Sequence, residues 1–418
     1  MRIIILSINY WPEQTGIGPF TTYRAEYLAS VGHDVTVCTT FPYYPDWRIE
    51  PQYRGKLFER SERNGVRILR TRIYVPKSVT NWKRVLHEAT FALGSFVGAL
   101  GCKRPDLLFV TSPPLGLGIC AVLLSVFWRV RYVFDVMDLQ PDAAAELGML
   151  PGRVLNWMYR IEKISYRRAE LISTLTNGMR DKILKKGFDE GKVVLFEPQA
   201  DQTLLKVTPS EGQAFRERHG LEGKLLVTHS GNLGMKQGLD VILEAAEMSQ
   251  SHDRLLFLIV GNGAARKRLE LRVAELKLEN VRFLPLLEER EFHGLLAASD
   301  ICLITQRKAT SDIVFPSKLV TYLAAGCAVI ASTSSDGEVA RTIRESRAGL
   351  VIEPERPRAL RDAILGFRPE KIRECRLSAR AYARSRWSPE RVLNFMESRL
   401  VALSAASSEH ILGRDVDR

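Results

Sequence analysis

The chain has 418 residues, which is too long for one ordinary hydrophobic core and predicts two domains of about 200 residues each. Hydrophobic residues at 45% and charged residues at 26% are typical of a soluble globular protein. Six scattered cysteines form no CxxC pair, so a disulfide framework or a zinc site is excluded in favour of reduced thiols in a cytoplasmic protein.

The formal net charge of +12 is concentrated in the N-terminal half. Residues 1–200 carry 27 basic and 19 acidic side chains, a difference of +8, which leaves +4 for the remainder. Anionic lipid, polyphosphate and nucleic acid would each be attracted by this excess, and an ordinary basic protein would also show it. Nucleic acid is the least favoured partner, because the basic residues are interleaved with acidic ones and no recognised motif is present.

Strands and helices alternate from the N-terminus. The continuous β-branched run "MRIIILSI" is typical of a strand buried on both faces of a parallel sheet. The loop "NYWPEQTGIGPF", the helix "TTYRAEYLASVG" and the strand "HDVTVCTT" complete a βαβ unit. Further strands are predicted at 66–71, 106–111, 131–136 and 170–174, with helices at 82–100, 115–128 and 152–168.

Two apolar segments, 89–101 and 115–128, are shorter than the roughly 20 residues that a helix needs to span a bilayer. The second follows a predicted strand and is expected to be a buried crossover helix. The first is flanked by "NWKRVLHE" and "CKR", and this basic, aromatic flanking suits a helix on a membrane surface as well as a core helix. The run in "MRIIILSINYWP" is too short for a secretion signal.

A second alternating series begins near residue 224. Strands are predicted at 224–230, 255–261, 281–285, 301–305 and 328–332, and helices at 238–249, 264–276, 288–298, 316–325 and 336–346. The polar, proline-containing stretch 197–212 is the predicted linker.

The predicted fold is therefore α/β, with two doubly wound Rossmann-like domains, 1–197 and 213–385, that face each other across a cleft. In such sheets ligands bind at the carboxyl ends of the strands. The tail 403–418 is expected to be disordered.

The first domain offers two candidate loops. Gly16 and Gly18 either form a plain turn or let the backbone approach an anion before a helix N-terminus. A dinucleotide site is not favoured, because the glycine spacing of the dinucleotide-binding motif is missing. Asp135, Asp138 and Asp142 follow a strand end, where a carboxylate could orient a sugar hydroxyl or accept its proton. Asp142 is equally a candidate for a helix N-cap.

The second domain offers glycine loops and a helix start. "GNLGMKQGLD" (231–240) and "LIVGNGAARKRLE" each follow a strand, and each is either a phosphate loop or a tight turn. In "FPSKLV", Ser317 and Lys318 would present a hydroxyl, free amides and an ammonium at one helix end, which is the combination a diphosphate requires. The only D-x-D triplet lies at 415–417, so a metal-dependent mechanism lacks support.

Six motifs occur in order between residues 9 and 319: "NYWPEQTGIG", "TTFPYYPDW", "YVPK", "SGNLGMKQGLDVILEAA", "IVGNG" and "FPSKL". Together they resemble the retaining glycosyltransferases of the GT-B fold, family 4, and most closely the colanic acid biosynthesis fucosyltransferase type. The resemblance implies an N-terminal acceptor domain, a C-terminal nucleotide-sugar domain and a last helix, 386–402, that crosses back to the first domain.

The resemblance also implies the substrates. The donor would be a sugar nucleotide, GDP-fucose in the closest type, and no cofactor or metal would be needed. The acceptor would be a lipid-pyrophosphate-linked saccharide at the cytoplasmic face of the membrane, to which the protein would bind peripherally.

The chain departs from the family at several positions. The family's diphosphate-binding Arg and Lys correspond to Asn232 and Gln237, its two glutamates to Ile313 and Thr321, and its catalytic histidine to Asp135. Other residues of this chain must therefore take these roles. The predicted catalytic residues are Asp138 and Lys318, with Asp135 and Asp142 at the acceptor. The predicted donor contacts are Gly16, Gly18, Gly231, Asn232, Lys236, Gly261, Gly263, Ser317, Lys318, Thr321 and Glu338.

Three other functions stay open at this point. A transferase of the same family could use a UDP-sugar, and an epimerase or hydrolase on the same fold would act on the donor alone. The missing family glutamates also allow an inactive scaffold of a polysaccharide complex.

Overall fold

The computed structural model describes residues 1–13, 16–78, 80–146, 148, 150–234, 237–308 and 317–412. It divides into two compact units. The first comprises Met1–Pro198 together with the chain from Val392 onward, and the second comprises Gln199–Arg391.

The first unit is built on an eight-stranded sheet. Its strands are β1 (Arg2–Leu6), β2 (Asp34–Thr40), β3 (Phe58–Arg63), β4 (Val66–Thr71), β5 (Leu107–Ser112), β6 (Arg131–Val136), β7 (Leu171–Thr174) and β8 (Val193–Leu195). They lie in the order β3-β4-β2-β1-β5-β6-β7-β8, and every pair is parallel except β3–β4. The antiparallel strand β3, "FERSER", is highly charged, as suits a strand at an exposed sheet edge.

Helices cover both faces of this sheet. They are α1 (Gly18–Ser30), α2 (Asn81–Leu100), α3 (Leu117–Trp128), α4 (Gln140–Glu146), α5 (Gly152–Arg168) and α6 (Asn177–Lys185). Phe91 of α2, Leu124 of α3, Tyr166 of α5 and Ile183 of α6 share one core, whereas Leu28 of α1 belongs to the core on the opposite face. The apolar strands are thus buried on both sides, as their continuous hydrophobic runs predict.

The second unit contains a six-stranded parallel sheet in the order β11-β10-β9-β12-β13-β14. Its strands are β9 (Leu225–Ser230), β10 (Leu255–Val260), β11 (Val281–Leu284), β12 (Ile301–Thr305), β13 (Ala328–Ser332) and β14 (Gly349–Ile352). Its helices are α7 (Pro209–His219), α8 (Asp240–Glu247), α9 (Arg266–Glu275), α10 (Glu289–Ala298), α11 (Ser317–Ala325), α12 (Glu338–Ser346), α13 (Pro357–Gly366) and α14 (Pro369–Arg386). With two parallel-dominated α/β sheets, the predicted fold class is confirmed.

The last helix, α15 (Pro389–Leu412), begins in the second unit and joins the first from Val392 onward. Leu393, Met396 and Leu400, spaced three and four residues apart, are buried in the core on the α1 face of the first sheet. α15 extends to Leu412, so the predicted helix end at 402 and the disorder predicted for residues 403–412 are wrong. A helix that has already formed can be lengthened at little cost in free energy per residue. Residues 413–418 lie outside the described residues.

None of the helices in the described part of the chain combines the length and the apolar character that crossing a bilayer requires.

Gly118 sets the distance between α3 and α5. A Cβ atom built on Gly118 would lie 2.0 Å from Oγ and 2.6 Å from Cβ of Ser165 in α5. We therefore expect Gly118→Ala to lower the free energy of unfolding by about 1–3 kcal/mol through overpacking, measured by urea denaturation.

Gly116, next to the start of α3, is the matched control. A Cβ there would meet only the Cβ of Ala92 at 3.9 Å, an ordinary van der Waals distance. Gly116→Ala should leave the midpoint of unfolding nearly unchanged, and equal losses in the two variants would contradict the steric explanation.

Candidate active site

Two glycine loops of the second unit touch through their backbones. Gly231 follows β9 with a φ of 116°, and Gly261 follows β10 with a φ of 130°. A Cβ on Gly261 would lie 2.0 Å from the carbonyl oxygen of Gly231, whose own N–H donates to Val260 O over 2.9 Å. An L side chain at Gly261 would therefore be both strained and in collision with backbone.

Gly263 and Asn232 continue the contact between the loops. A Cβ on Gly263, which has a φ of 154°, would lie 2.6 Å from both Asn232 Oδ1 and Leu233 O. The Leu233 N–H donates to Asn262 O over 2.8 Å. The predicted donor-binding positions Gly231, Asn232, Gly261 and Gly263 thus form one interlocked structure.

Lys318 brings a positive charge to this structure from the first turn of α11. Its Nζ lies 3.2 Å from Nε2 of His229, and 3.6 Å from where a Cβ on Gly231 would stand. Desolvation lowers the pKa of Lys318 to about 8. Burial, and then the charge of Lys318, hold the pKa of His229 well below its usual range, so a neutral imidazole accepts a hydrogen bond from the ammonium.

Tyr322 fixes α11 against β9. Its buried hydroxyl accepts a hydrogen bond from the Ser230 N–H over 2.9 Å and lies 3.0 Å from Ser230 Oγ. Ser317 is the first residue of α11, as predicted, and is exposed. The hydroxyl of Thr321 lies 3.4 Å from the Ser317 carbonyl, so it is bonded within the helix.

Glu338 and Lys236 are the remaining candidates for donor binding in the second unit. Glu338 begins α12, after β13, and its carboxylate lies 3.6 Å from Nη1 of Arg341. Because β10, β9, β12 and β13 are adjacent and parallel, the carboxyl ends of these strands lie at one sheet edge. Lys236 and the position of Ile313 lie outside the described residues.

Across all the ranges that the structure describes, no group of three or more His, Cys, Asp or Glu is arranged to hold a metal ion.

Glu13 organises the loops of the first unit, and the motif reasoning missed it. Its carboxylate accepts hydrogen bonds from the Tyr43 N–H (2.9 Å), the Tyr44 N–H (2.8 Å) and Asn9 Nδ2 (2.7 Å). Burial raises the pKa of Glu13 despite these bonds, which lower it. The carboxylate joins the loops after β1 and β2, and the only sequence signal was one acidic residue in an aromatic loop.

Gly16 and Gly18 fit the turn that Glu13 fixes. Gly16 has a φ of 67°, and a Cβ there would lie 3.4 Å from Cε1 of Tyr44. Gly18 is the first residue of α1, and a Cβ there would lie 2.8 Å from the carbonyl oxygen of Glu13. Both glycines are explained by the turn, and their contact with a donor stays a prediction.

Asp138 lies just past β6 and is half-buried. Its carbonyl accepts a hydrogen bond from the Gln140 N–H over 3.0 Å, and Oε1 of Gln140 accepts one from the Leu115 N–H over 2.6 Å. These bonds join the loops after β5 and β6. Since β1, β5 and β6 are parallel neighbours, Asp138 lies at the same sheet edge as the Gly16 loop.

The prediction that Asp135 binds the acceptor is wrong. Its fully buried Oδ2 lies 2.6 Å from Nη1 of Arg24 in α1, and its Oδ1 accepts a hydrogen bond from Ser173 Oγ over 2.8 Å. Arg24 also donates to Phe196 O over 3.1 Å. Both oxygens are used inside the core, so the carboxylate serves the fold.

Asp142 is also engaged within the unit. It is the third residue of α4, so it is not an N-cap, and its Oδ2 lies 2.6 Å from Nζ of Lys186. The same ammonium lies 2.6 Å from Oε1 of Glu162 in α5. This ion triad ties α4 and α5 to α6, and the acceptor role of Asp142 stays a prediction.

Comparison with known proteins decides the family. The model for the Glycosyl transferase 4-like domain matches residues 15–199, and that for Glycosyl transferases group 1 matches residues 212–386. WcaI of Escherichia coli (strain K12), named as a colanic acid biosynthesis glycosyl transferase, is 31% identical over 94% of this chain and 98% of its own length. The chain is a family 4 glycosyltransferase of the GT-B fold.

Solved structures agree with this fold. Sucrose-phosphate synthase from Thermosynechococcus elongatus superposes with a TM-score of 0.77 at 17% identity, covering 97% of this chain and 99% of that one. Alr3699/HepE from Anabaena, solved in complex with UDP, has a TM-score of 0.72 at 16% identity, covering 96% of this chain and 100% of that one.

The Asp135 correction is open to a stability measurement. Asp135→Asn would leave Arg24 without its buried counter-charge, so we expect the glycosyltransferase to lose about 3–5 kcal/mol of unfolding free energy. Asp138→Asn, at a half-buried loop position, is the control and should cost clearly less. Urea unfolding of both variants gives the comparison, and an Asp135→Asn variant as stable as wild type would contradict the structural role.

Proposed function

We propose that this glycosyltransferase is a retaining enzyme of bacterial exopolysaccharide biosynthesis. It transfers a sugar from a nucleotide sugar to a lipid-pyrophosphate-linked saccharide. The similarity to WcaI along nearly its whole length supports the biosynthetic setting, since that protein is named for colanic acid. In the fucosyltransferase type that the motifs resemble the donor is GDP-fucose, so GDP is the proposed nucleotide and fucose the proposed sugar.

The observation that carries the donor half of the proposal is the ammonium of Lys318 beside the backbone of Gly231. A nucleoside diphosphate is a polyanion, and a cation next to glycine amides and a helix start is the arrangement that binds one. HepE, which shares the fold, has been solved with UDP and with UDP-glucose, and this supports a nucleotide sugar here.

The proposed reaction needs no side-chain nucleophile. The acceptor hydroxyl oxygen forms a bond to the anomeric carbon on the face from which the diphosphate departs, and the bond from that carbon to the diphosphate oxygen breaks. The hydroxyl proton passes to the leaving diphosphate. Lys318 then acts by neutralising charge that grows on the leaving group, which is where electrostatic stabilisation contributes most.

The first unit supplies the acceptor half of the proposal. The Asp138 carboxylate, at the loop edge of that sheet, orients the acceptor saccharide by accepting a hydrogen bond from a hydroxyl other than the attacking one, whose own proton faces the diphosphate. The turn at Gly16, fixed by Glu13, presents backbone N–H groups at the start of α1, where a helix dipole favours an anionic group.

The choice of nucleotide can be tested by isothermal titration calorimetry with GDP and UDP. We expect GDP to bind at least about tenfold more tightly than UDP, a difference of about 1.4 kcal/mol. Preference for UDP would contradict the fucosyl form and favour the UDP-sugar alternative that HepE represents. Binding of neither nucleotide would contradict the donor proposal as a whole.

A pH dependence of nucleotide binding follows from the lowered pKa of Lys318. With a pKa of about 8, about nine-tenths of the ammonium is charged at pH 7 and about one-tenth at pH 9. Because the diphosphate binds the charged form, the affinity for GDP should fall about tenfold between these pH values. Lys318→Met should bind GDP about 10- to 100-fold more weakly at pH 7 and lose most of this pH dependence.

Lys371→Met is the matched control, since Lys371 is an exposed lysine of α14, outside the candidate donor loops. It should keep both the affinity and the pH profile of the wild type. A wild-type profile in Lys318→Met would exclude Lys318 from the diphosphate site.

A further inference from the structure

Three helices of the first unit form a continuous outer layer on one face of its sheet. α3 lies between α2 and α5 and contacts both. Sγ of Cys120 in α3 lies 3.3 Å from the Ala92 carbonyl of α2, and Gly118 of α3 lies directly against Ser165 of α5. The side chains that these three helices expose on their outward sides therefore form one continuous surface.

Large apolar side chains are exposed along the outward side of α2. Trp82 is 72% exposed and Leu93 is 66% exposed. The inward side of α2 packs against the core, where Phe91 and Ala99 are buried. The exposed large apolar side chains of α2 recur at helical spacing and are Trp82, Val85, Leu86, Leu93, Val97 and Leu100.

α3 and α5 continue the apolar surface. Phe127 of α3 is 67% exposed and Trp157 of α5 is 64% exposed. The other large apolar side chains that these two helices expose are Leu123, Val126, Val154 and Ile164. A soluble protein rarely exposes so many neighbouring apolar side chains without a partner surface.

The charges on this layer are almost all positive. Its two acidic residues are neutralised, Glu88 by Arg84 at 3.1 Å and Glu162 by Lys186 at 2.6 Å. The guanidinium of Arg160 lies 5.6 Å from the centre of the Trp157 ring. The basic residues on the three helices or at their ends are Lys83, Arg84, Arg129, Arg153, Arg160, Lys163, Arg167 and Arg168.

We propose that the outward sides of α2, α3 and α5, here called the docking face, bind the surface of an anionic phospholipid bilayer. Exposed tryptophans and leucines enter the boundary between head groups and acyl chains, while arginines and lysines contact lipid phosphates. This inference rests on the proposed lipid-linked acceptor, and it names the surface that brings the enzyme to that acceptor.

A second copy of the chain is a poorer occupant of the docking face. A two-fold symmetric dimer places the same face on both sides of the interface, where residue i of one copy meets residue j of the other and the reverse. Arg153, Arg160 and Arg167 would then be buried against a second docking face whose acidic residues on the described parts of the three helices, Glu88 and Glu162, are already paired. A bilayer that carries anionic phosphates supplies the opposite charge over the whole area.

The test is co-sedimentation of the intact protein with vesicles, without nucleotide or acceptor. Vesicles of phosphatidylcholine alone are compared with vesicles that contain equal parts of phosphatidylcholine and phosphatidylglycerol. We expect at least about tenfold stronger binding to the anionic vesicles, weakening as salt rises from 0.05 to about 0.5 M. Equal binding to both compositions, or binding to neither, would overturn the proposal.

Variants locate the binding to the docking face. Leu93→Ser combined with Trp157→Ser should weaken vesicle binding at least about tenfold, because apolar area no longer leaves water. Leu377→Ser is the matched control, since Leu377 is 74% exposed in the second unit, and it should bind as the wild type does. An equal loss in the control would overturn the assignment.

Two further measurements separate the rival explanations. If light scattering without vesicles shows a dimer that Leu93→Ser with Trp157→Ser converts to a monomer, the occupant is a second copy and the lipid proposal fails. GDP binding and the midpoint of urea unfolding of the same variant should both equal those of the wild type, which shows that the variant is folded. Absence of GDP binding in the wild type, with vesicle binding intact, would remove the proposed donor and leave the docking face standing.

Discussion

The second unit depends on a contact between two backbones that only glycine permits. The carbonyl of Gly231 occupies the place that a side chain on Gly261 would need, 2.0 Å from its Cβ position. Any larger residue at Gly261 would separate the loops after β9 and β10. Lys318 Nζ lies in the space beside Gly231. The contact between Gly231 and Gly261 therefore also sets the position of the Gly231 backbone relative to this ammonium.

The electrostatics around Lys318 favour the binding of an anionic ligand. Desolvation is the cause that lowers the pKa of Lys318, and its hydrogen-bond partner His229 is held neutral. A buried ammonium with a neutral partner has lost hydration without gaining a full counter-charge. A diphosphate that reached Lys318 would restore that loss, and the gain would be largest when the leaving group carries its full charge.

The order of strands and helices could be predicted from the sequence because period and length are local properties. The strands predicted at 66–71 and 131–136 coincide with β4 and β6, and the helix predicted at 152–168 with α5. The charged strand β3 carries no hydrophobic period, so its pattern gave no signal. The end of α15 was missed for a similar reason, because polar residues near a terminus resemble a disordered tail.

The candidate site was predictable only where the backbone itself shapes it. The glycines at 231, 261 and 263 were found because a loop after a strand can be read locally. Asp135 was misassigned because its partner, Arg24, stands 111 residues away and no local pattern reveals the pair. Glu13 and His229 were missed for the same reason, since their roles come from contacts with distant loops and helices.

The two faces of the first sheet differ, and this difference explains why segment 89–101 suited both a core helix and a helix on a membrane surface. On one face, α15 adds Leu393 and Met396 to the core below α1, so that face is closed by the chain itself. On the other face, α2 turns Phe91 and Ala99 inward and Leu93 and Val97 outward, so it is a core helix and an apolar surface at once. A helix that is apolar on both sides is normally buried on both sides. The basic residues that surround the outward side of α2, α3 and α5 are the reason for proposing an environment that is apolar in depth and anionic at its surface, and a bilayer has this order of layers.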